Sequence, residues 1–300
     1  MELFVLLSQV VLYICFALLL GTFILRIIPS ELRPNVVVRQ KVLVVVTALI
    51  PLAAFLPVLD ITLYIAPRLG FTNALSIVLT TYTVGTAWDA TLLIALVFVV
   101  LLIRTTATSK VASYVGIVLT TLLIVSVAWS SHAAALNATT GIVSDTLHLV
   151  GASVWVGILL VISFFAKDTN NWLGFLNWFT YTAVGCLAII GISGFMLMDI
   201  MVDGYINAWM IDYGQGLLMK HLLLVPIFLF AFANTAVSRF FLLRDKPFQP
   251  LPWIRFEAIL LSLIFIVTSA FSQQNPPHGA YLSEELVSPI FKWFHPDVTI

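Results

Sequence analysis

Eight apolar runs, at about 3–25, 42–66, 86–103, 111–131, 142–165, 173–198, 216–238 and 253–272, limit what this chain can fold into more than any other feature. Each is close to the ~20 helical residues that cross ~30 Å of hydrocarbon. Hydrophobic residues make up 61% of the 300 positions and charged ones 9%, well beyond the roughly 45–50% apolar share of a soluble domain. The runs lack the alternating polarity of a membrane barrel, which excludes strands. The expected fold is all-α: a polytopic membrane helix bundle of about eight transmembrane helices, forming a single membrane-embedded domain over 1–300 with an outer tail at 273–300.

From Phe71 to Ile103 the apolar character continues for about 33 residues, roughly 50 Å of helix, too long for one span. A break at Gly85 resolves this and leaves 72–84, with its threonines, Asn73 and Ser76, as a short interfacial helix. Glu2 stands where a signal peptide would carry positive charge, so the first run reads as a span. No lipidation motif, nucleotide-binding loop or basic nucleic-acid patch occurs, which leaves the lipid bilayer as the expected environment and no ATPase on this chain to drive transport.

The basic residues set the orientation. Arg26, Arg33, Arg39, Lys41, Arg104, Lys110, Lys167, Arg239, Arg244, Lys246 and Arg255 fall in alternate connections on one side, against Arg68, Lys220 and Lys292 on the other. Positive charge is retained in the cytoplasm, so both termini are expected outside. All five histidines then lie in the outer half or beyond it: His132, His148, His221, His278 and His295. Most carboxylates lie there too, including Asp60, Asp89, Asp145, Asp199, Asp203 and Asp212; the charge bias accounts for loop acids such as Asp203, but not for neutral imidazoles.

The densest polar cluster is Trp129-Ser130-Ser131-His132-Ala133-Ala134, followed by Asp145-x-x-His148 and Trp155-Val156-Gly157. Imidazole and carboxylate are costly inside a membrane unless a metal, a charge or a hydrogen bond uses them. Asp145, His148 and Trp155 share one helix face. A carboxylate one turn from an imidazole suits either a metal-bound histidine and its orienting partner or a satisfied polar pair. The small residues Gly151, Ala152, Ser153 and Gly157 predict close packing of this helix. Lys220 and His221 open the seventh span, where the ammonium must snorkel or pair with Asp89 or Asp145.

Apart from Met1, every methionine falls between 196 and 219: Met196, Met198, Met201, Met210 and Met219. Thioether sulfur suits Cu(I), and imidazole with carboxylate suits Cu(II), although methionine is also an ordinary core filler. Cys15 and Cys186 sit at mid-membrane depth without a paired spacing and read as core residues. Pro51, Pro57 and Pro226 permit kinks, and Gly185, Gly191, Ser193 and Gly194 predict a thin face on the sixth span.

The Ser131-His132-Ala133-Ala134 end of the fourth span, Asp145-x-x-His148 with Trp155-Val156-Gly157, Lys220, Asn234, Arg255-x-Glu257 and the closing Asn275-Pro276-Pro277 together resemble the copper-resistance D (CopD) family of bacterial inner-membrane proteins. The resemblance covers roughly 86–277 and is clearest from 129 to 165; the first two spans agree in length and topology. It implies copper handling, most often import from the periplasm, beside a small periplasmic copper-binding partner, CopC. The expected metal residues are His132, Asp145, His148, His221, Met198, Met201 and Met219, supported by Asp89, Trp155 and Lys220. The expected function is therefore a copper-binding permease and not an enzyme. Two alternatives remain: a haem-binding electron carrier using His148 with His132 or His221, and a copper sensor or assembly protein without transport.

Overall fold

A helix that is apolar around its whole circumference must be covered by lipid or by other helices, because hydrocarbon offers no partner to an exposed peptide group. The computed structural model describes residues 2–105, 109–202, 210–244, 249–272 and 287–294, and among them the fold is all-helical. Eight helices are long and apolar enough to cross a membrane: α1 (Glu2–Ile27), α2 (Gln40–Leu69), α4 (Thr83–Arg104), α5 (Lys110–Ala128), α7 (Ala138–Phe165), α8 (Trp172–Met201), α9 (Asp212–Leu242) and α10 (Leu251–Phe271). Among the described residues three short α-helices, α3 (Phe71–Thr81), α6 (His132–Leu136) and α11 (Pro289–Phe294), and one 3-10 turn, Ser30–Leu32, accompany them. The chain is a multi-pass membrane protein.

A short helix stands where one was expected, as α3, but the break falls at Tyr82, whose extended backbone separates α3 from α4. Gly85 instead lies in the first turn of α4, where its missing side chain makes room for the backbone of Val78 in α3. The fourth run is also divided. α5 ends at Ala128, and His132 begins the separate helix α6 rather than ending the span.

α1 is the central helix, packed against α7, α2, α5 and α10. Its crossing with α7 is closed by two glycines: a side chain at Gly157 would run into the Ala17 carbonyl, and one at Gly21 into the backbone of Gly157. Small residues let helix backbones approach where no hydrophobic force drives helices together within lipid. Around this crossing lie Phe16, Leu19, Leu20, Phe23, Ile158 and Ile162, all buried. Gly151 meets Ile190 of α8, so the small-residue face of α7 is used on two sides.

The thin face expected on α8 forms only in part. Gly185 and Gly191 have nothing within 4 Å of where a side chain would begin, whereas Gly194 and the buried Ser193 meet the ring of His148 on α7. α8 and α9 leave most of their apolar surface outside the bundle, including Tyr181, Val184, Ile192, Leu229 and Phe232. That is the surface a lipid-facing helix presents. Cys15 and Cys186 are buried free thiols, as expected of core residues.

The helix ends segregate by chemistry. At one end Arg26, Arg104, Lys110, Lys167, Arg239 and Arg255 close the bundle, with Val37 N–H donating to Phe165 O at 3.1 Å, Lys167 N–H to Asn35 O at 2.8 Å and Arg255 Nε to Ser163 O at 3.0 Å. The other end, where α1, α7 and α9 begin and α2, α5, α8 and α10 finish, holds a cavity.

Candidate metal centre

Local capping builds the wall of that cavity. Ser131 caps α6, its Oγ accepting from Ala134 N–H at 3.2 Å, and Asn137 caps α7, its Oδ1 accepting from Thr140 N–H at 3.2 Å. Side-chain oxygens at these positions satisfy amides that the first helical turn leaves open. Gly141 lets the start of α7 lie directly on the Ala133 peptide. The fold-back brings Ser131 to the next turn of α7, where its hydroxyl hydrogen-bonds the Asp145 carboxylate.

One turn further, His148 faces the same space. Its Nδ1 lies 3.2 Å from the Ile190 carbonyl of α8 and 3.3 Å from Ser193 Oγ. A carbonyl can only accept, so this contact places the ring hydrogen on Nδ1; Ser193 donates its own hydroxyl to Ile189 O at 2.6 Å. Nε2 is therefore the atom that carries the ring's lone pair. Holding one ring nitrogen on a backbone carbonyl to orient the other is the usual support of a metal-binding histidine. Gly194 lets the ring in, since a side chain there would begin 3.4 Å from His148 Cε1.

Lys220 of α9 brings its Nζ to 3.5 Å from His148 Nε2, within the electrostatic field of Asp145. Asp145 is thus the carboxylate whose charge acts on the ammonium, while Asp89 is exposed and does not line the cavity. The three side chains meet at the wall of a space of about 1020 Å³, bounded by α1, α2, α4 to α10. Gln9 at its rim accepts from Ser272 at 2.7 Å, tying α1 to α10, and Thr91 and Ser126 hydrogen-bond across α4 and α5 at 2.8 Å.

Most of the expected metal residues line this one cavity: Asp145, His148, His132, His221, Met198 and Met201. They are not equivalent. His132 and His221 are exposed at its edge, and His221 Nδ1 donates to Leu217 O of its own helix at 2.7 Å. Met201 Sδ accepts a hydrogen bond from Tyr213 at 3.4 Å. Met219 does not join; it is 53% exposed on another face of α9. Trp155 is buried behind the wall, stacked at 5.8 Å on Phe228, which lines the cavity. Among the described residues no three His, Cys, Asp or Glu side chains converge to hold a metal ion. His278, His295 and Asp203 lie outside the described residues.

Sequence reasoning passed over several cavity residues. Gln9 and Tyr13, four apart in α1, and Thr91 in α4 all stand where polar groups interrupt an apolar run. That interruption was the available signal. It goes unheeded because a single hydroxyl or amide in a span is commonly satisfied by its own helix, as Thr91 partly is through Ala87 O.

Residues 1–142 match the family model described as copper resistance protein D-like, N-terminal domain. No curated protein and no solved structure matches the chain. The family match includes the first two spans, which from the residues agree only in length and topology, and it ends in the first turns of α7, before Asp145 and His148. It overlaps the motif-based resemblance over 86–142, a stretch that contains Ser131 and His132. Over its first 142 residues this membrane protein is thus similar to the copper resistance protein D-like family.

Proposed function

We propose that this protein is a copper-binding permease of the bacterial inner membrane that accepts copper from the periplasm and passes it toward the cytoplasm. The observation that carries this reading is the orientation of His148: its Nδ1 is held by the Ile190 carbonyl, which turns Nε2 into the cavity beside Asp145. Copper is the substrate. His148 Nε2 and the Asp145 carboxylate are its primary donors, with His132, His221, Met198 and Met201 as further donors along the wall. Imidazole, carboxylate and thioether together accommodate either oxidation state of copper.

With the basic helix ends in the cytoplasm, the cavity opens outward, on the side where a separate CopC-like protein would deliver copper. Below it the bundle is filled by Phe16, Leu19, Phe23 and Ile158, so inward passage needs a rearrangement of the helices around α1.

The test is the copper and iron content of the detergent-purified protein in the same sample, followed by copper uptake into proteoliposomes. Copper near one per chain, lost in His148→Ala, together with uptake, is the expected result. Iron in place of copper would make the histidines haem ligands; bound copper without uptake would leave a sensor or assembly role.

A further inference from the structure

We infer that the cavity binds copper as a small organic chelate bearing a carboxylate, with Lys220 holding the carboxylate and His148 Nε2 reaching the metal. The inference rests on the copper reading above and adds the form in which copper is taken.

Three observations carry it. The first is size. A cation with six waters of about 30 Å³ each fills about 180 Å³, whereas the cavity measures about 1020 Å³, the scale of sites that enclose an organic molecule. The second is the lining. Between its polar groups the wall is carried by Leu12, Pro57, Leu149, Leu187, Phe195 and Phe228, a predominantly apolar surface that offers contact to carbon. A few placed polar groups on an apolar wall are the usual make-up of a small-molecule site.

The third is the position of Lys220. Its ammonium stands 3.5 Å from the lone pair of His148 Nε2 that an incoming metal needs. A bare cation meets a like charge there. A chelate brings a carboxylate to which the ammonium can turn, a charge-assisted hydrogen bond, and this uncovers Nε2 for the metal. The carboxylates facing the cavity, Asp145 and Asp60, oppose a strongly anionic chelate, so the class that fits is neutral overall, as in a copper–amino acid complex.

The experiment uses the full chain in detergent with bis(histidinato)copper(II) carrying radiolabelled histidine, and in parallel a copper(II) salt in non-coordinating buffer. Copper and histidine label retained together, with label falling roughly tenfold in Lys220→Met and kept in Lys220→Arg, is the expected result. Copper retained without label overturns the chelate while leaving the permease reading standing. Label retained equally by wild type and Lys220→Met also overturns it. Copper retained from neither form removes both readings. Should the Lys220 variants fail to purify, co-retention by the wild-type chain decides.

Discussion

His148 shows how one side chain becomes a ligand by having its other nitrogen occupied. With Nδ1–H on the Ile190 carbonyl, the ring cannot turn away without leaving its own N–H without that acceptor. Removal of the imidazole in His148→Ala is expected to weaken copper binding at least about tenfold, in line with loss of a metal ligand or its orienting partner; equilibrium dialysis against a copper competitor reads this directly. Met219→Leu, on the exposed side of α9, is expected to leave the same measurement unchanged. Ser131 works at the same scale through two bonds, capping α6 and donating to Asp145. Ser131→Ala should lower stability by about 1 kcal/mol through the lost cap and also weaken copper binding, because Asp145 loses its fixed donor. An unchanged copper affinity with lowered stability would show that the cap alone matters.

Among the elements, glycines that look alike in the sequence do unlike things. Gly157 and Gly21 are the contact between α1 and α7, where an added carbon meets backbone that cannot move aside. Gly157→Val is expected to destabilise by about 1–3 kcal/mol, the usual scale of overpacking. Gly185 faces open space on α8, and Gly185→Ala is expected to be neutral or to stabilise by up to about 1 kcal/mol, since glycine is a poor helix interior residue. Thermal unfolding of the two variants in one detergent separates them; equal losses would mean that the α1–α7 crossing is not the tight one. The same contrast explains why the thin face of the sixth span forms only in part. Glycine spacing reports that a close approach is sterically allowed, but a partner helix must be there, and α8 turns Gly185 and Gly191 away from its neighbours.

At the scale of the whole molecule, the polar cavity and the arginine-rich helix ends lie at opposite ends of the bundle. This arrangement underlies the proposed direction of transport and is open to a direct check. Ala135→Cys in α6 and Thr105→Cys after α4 are both exposed positions, at opposite ends, while the native Cys15 and Cys186 are buried. A membrane-impermeant thiol reagent applied to intact cells is expected to label Ala135→Cys and spare Thr105→Cys. The reverse pattern would turn the cavity to the cytoplasm and the proposed import into export.

The sequence by itself determined the all-helical membrane class and the eight spans, because the need to satisfy every peptide group within lipid leaves no other solution for runs of this length and uniform apolarity. It also determined that Asp145 and His148 share a face, since helical periodicity is local. What only the tertiary structure decided is which groups meet across helices: that Lys220 reaches His148, that the Asp145 charge acts on it while Asp89 does not line the cavity, that Ser131 folds back onto Asp145, that Met219 points elsewhere, and that Gln9, Tyr13 and Asp60 share the cavity. These depend on the rotation and offset of packed helices. In a chain apolar on every face, no hydrophobic stripe marks the inward side, so close contacts such as Gly21 on Gly157 decide the rotation, and they are known only once the helices are packed.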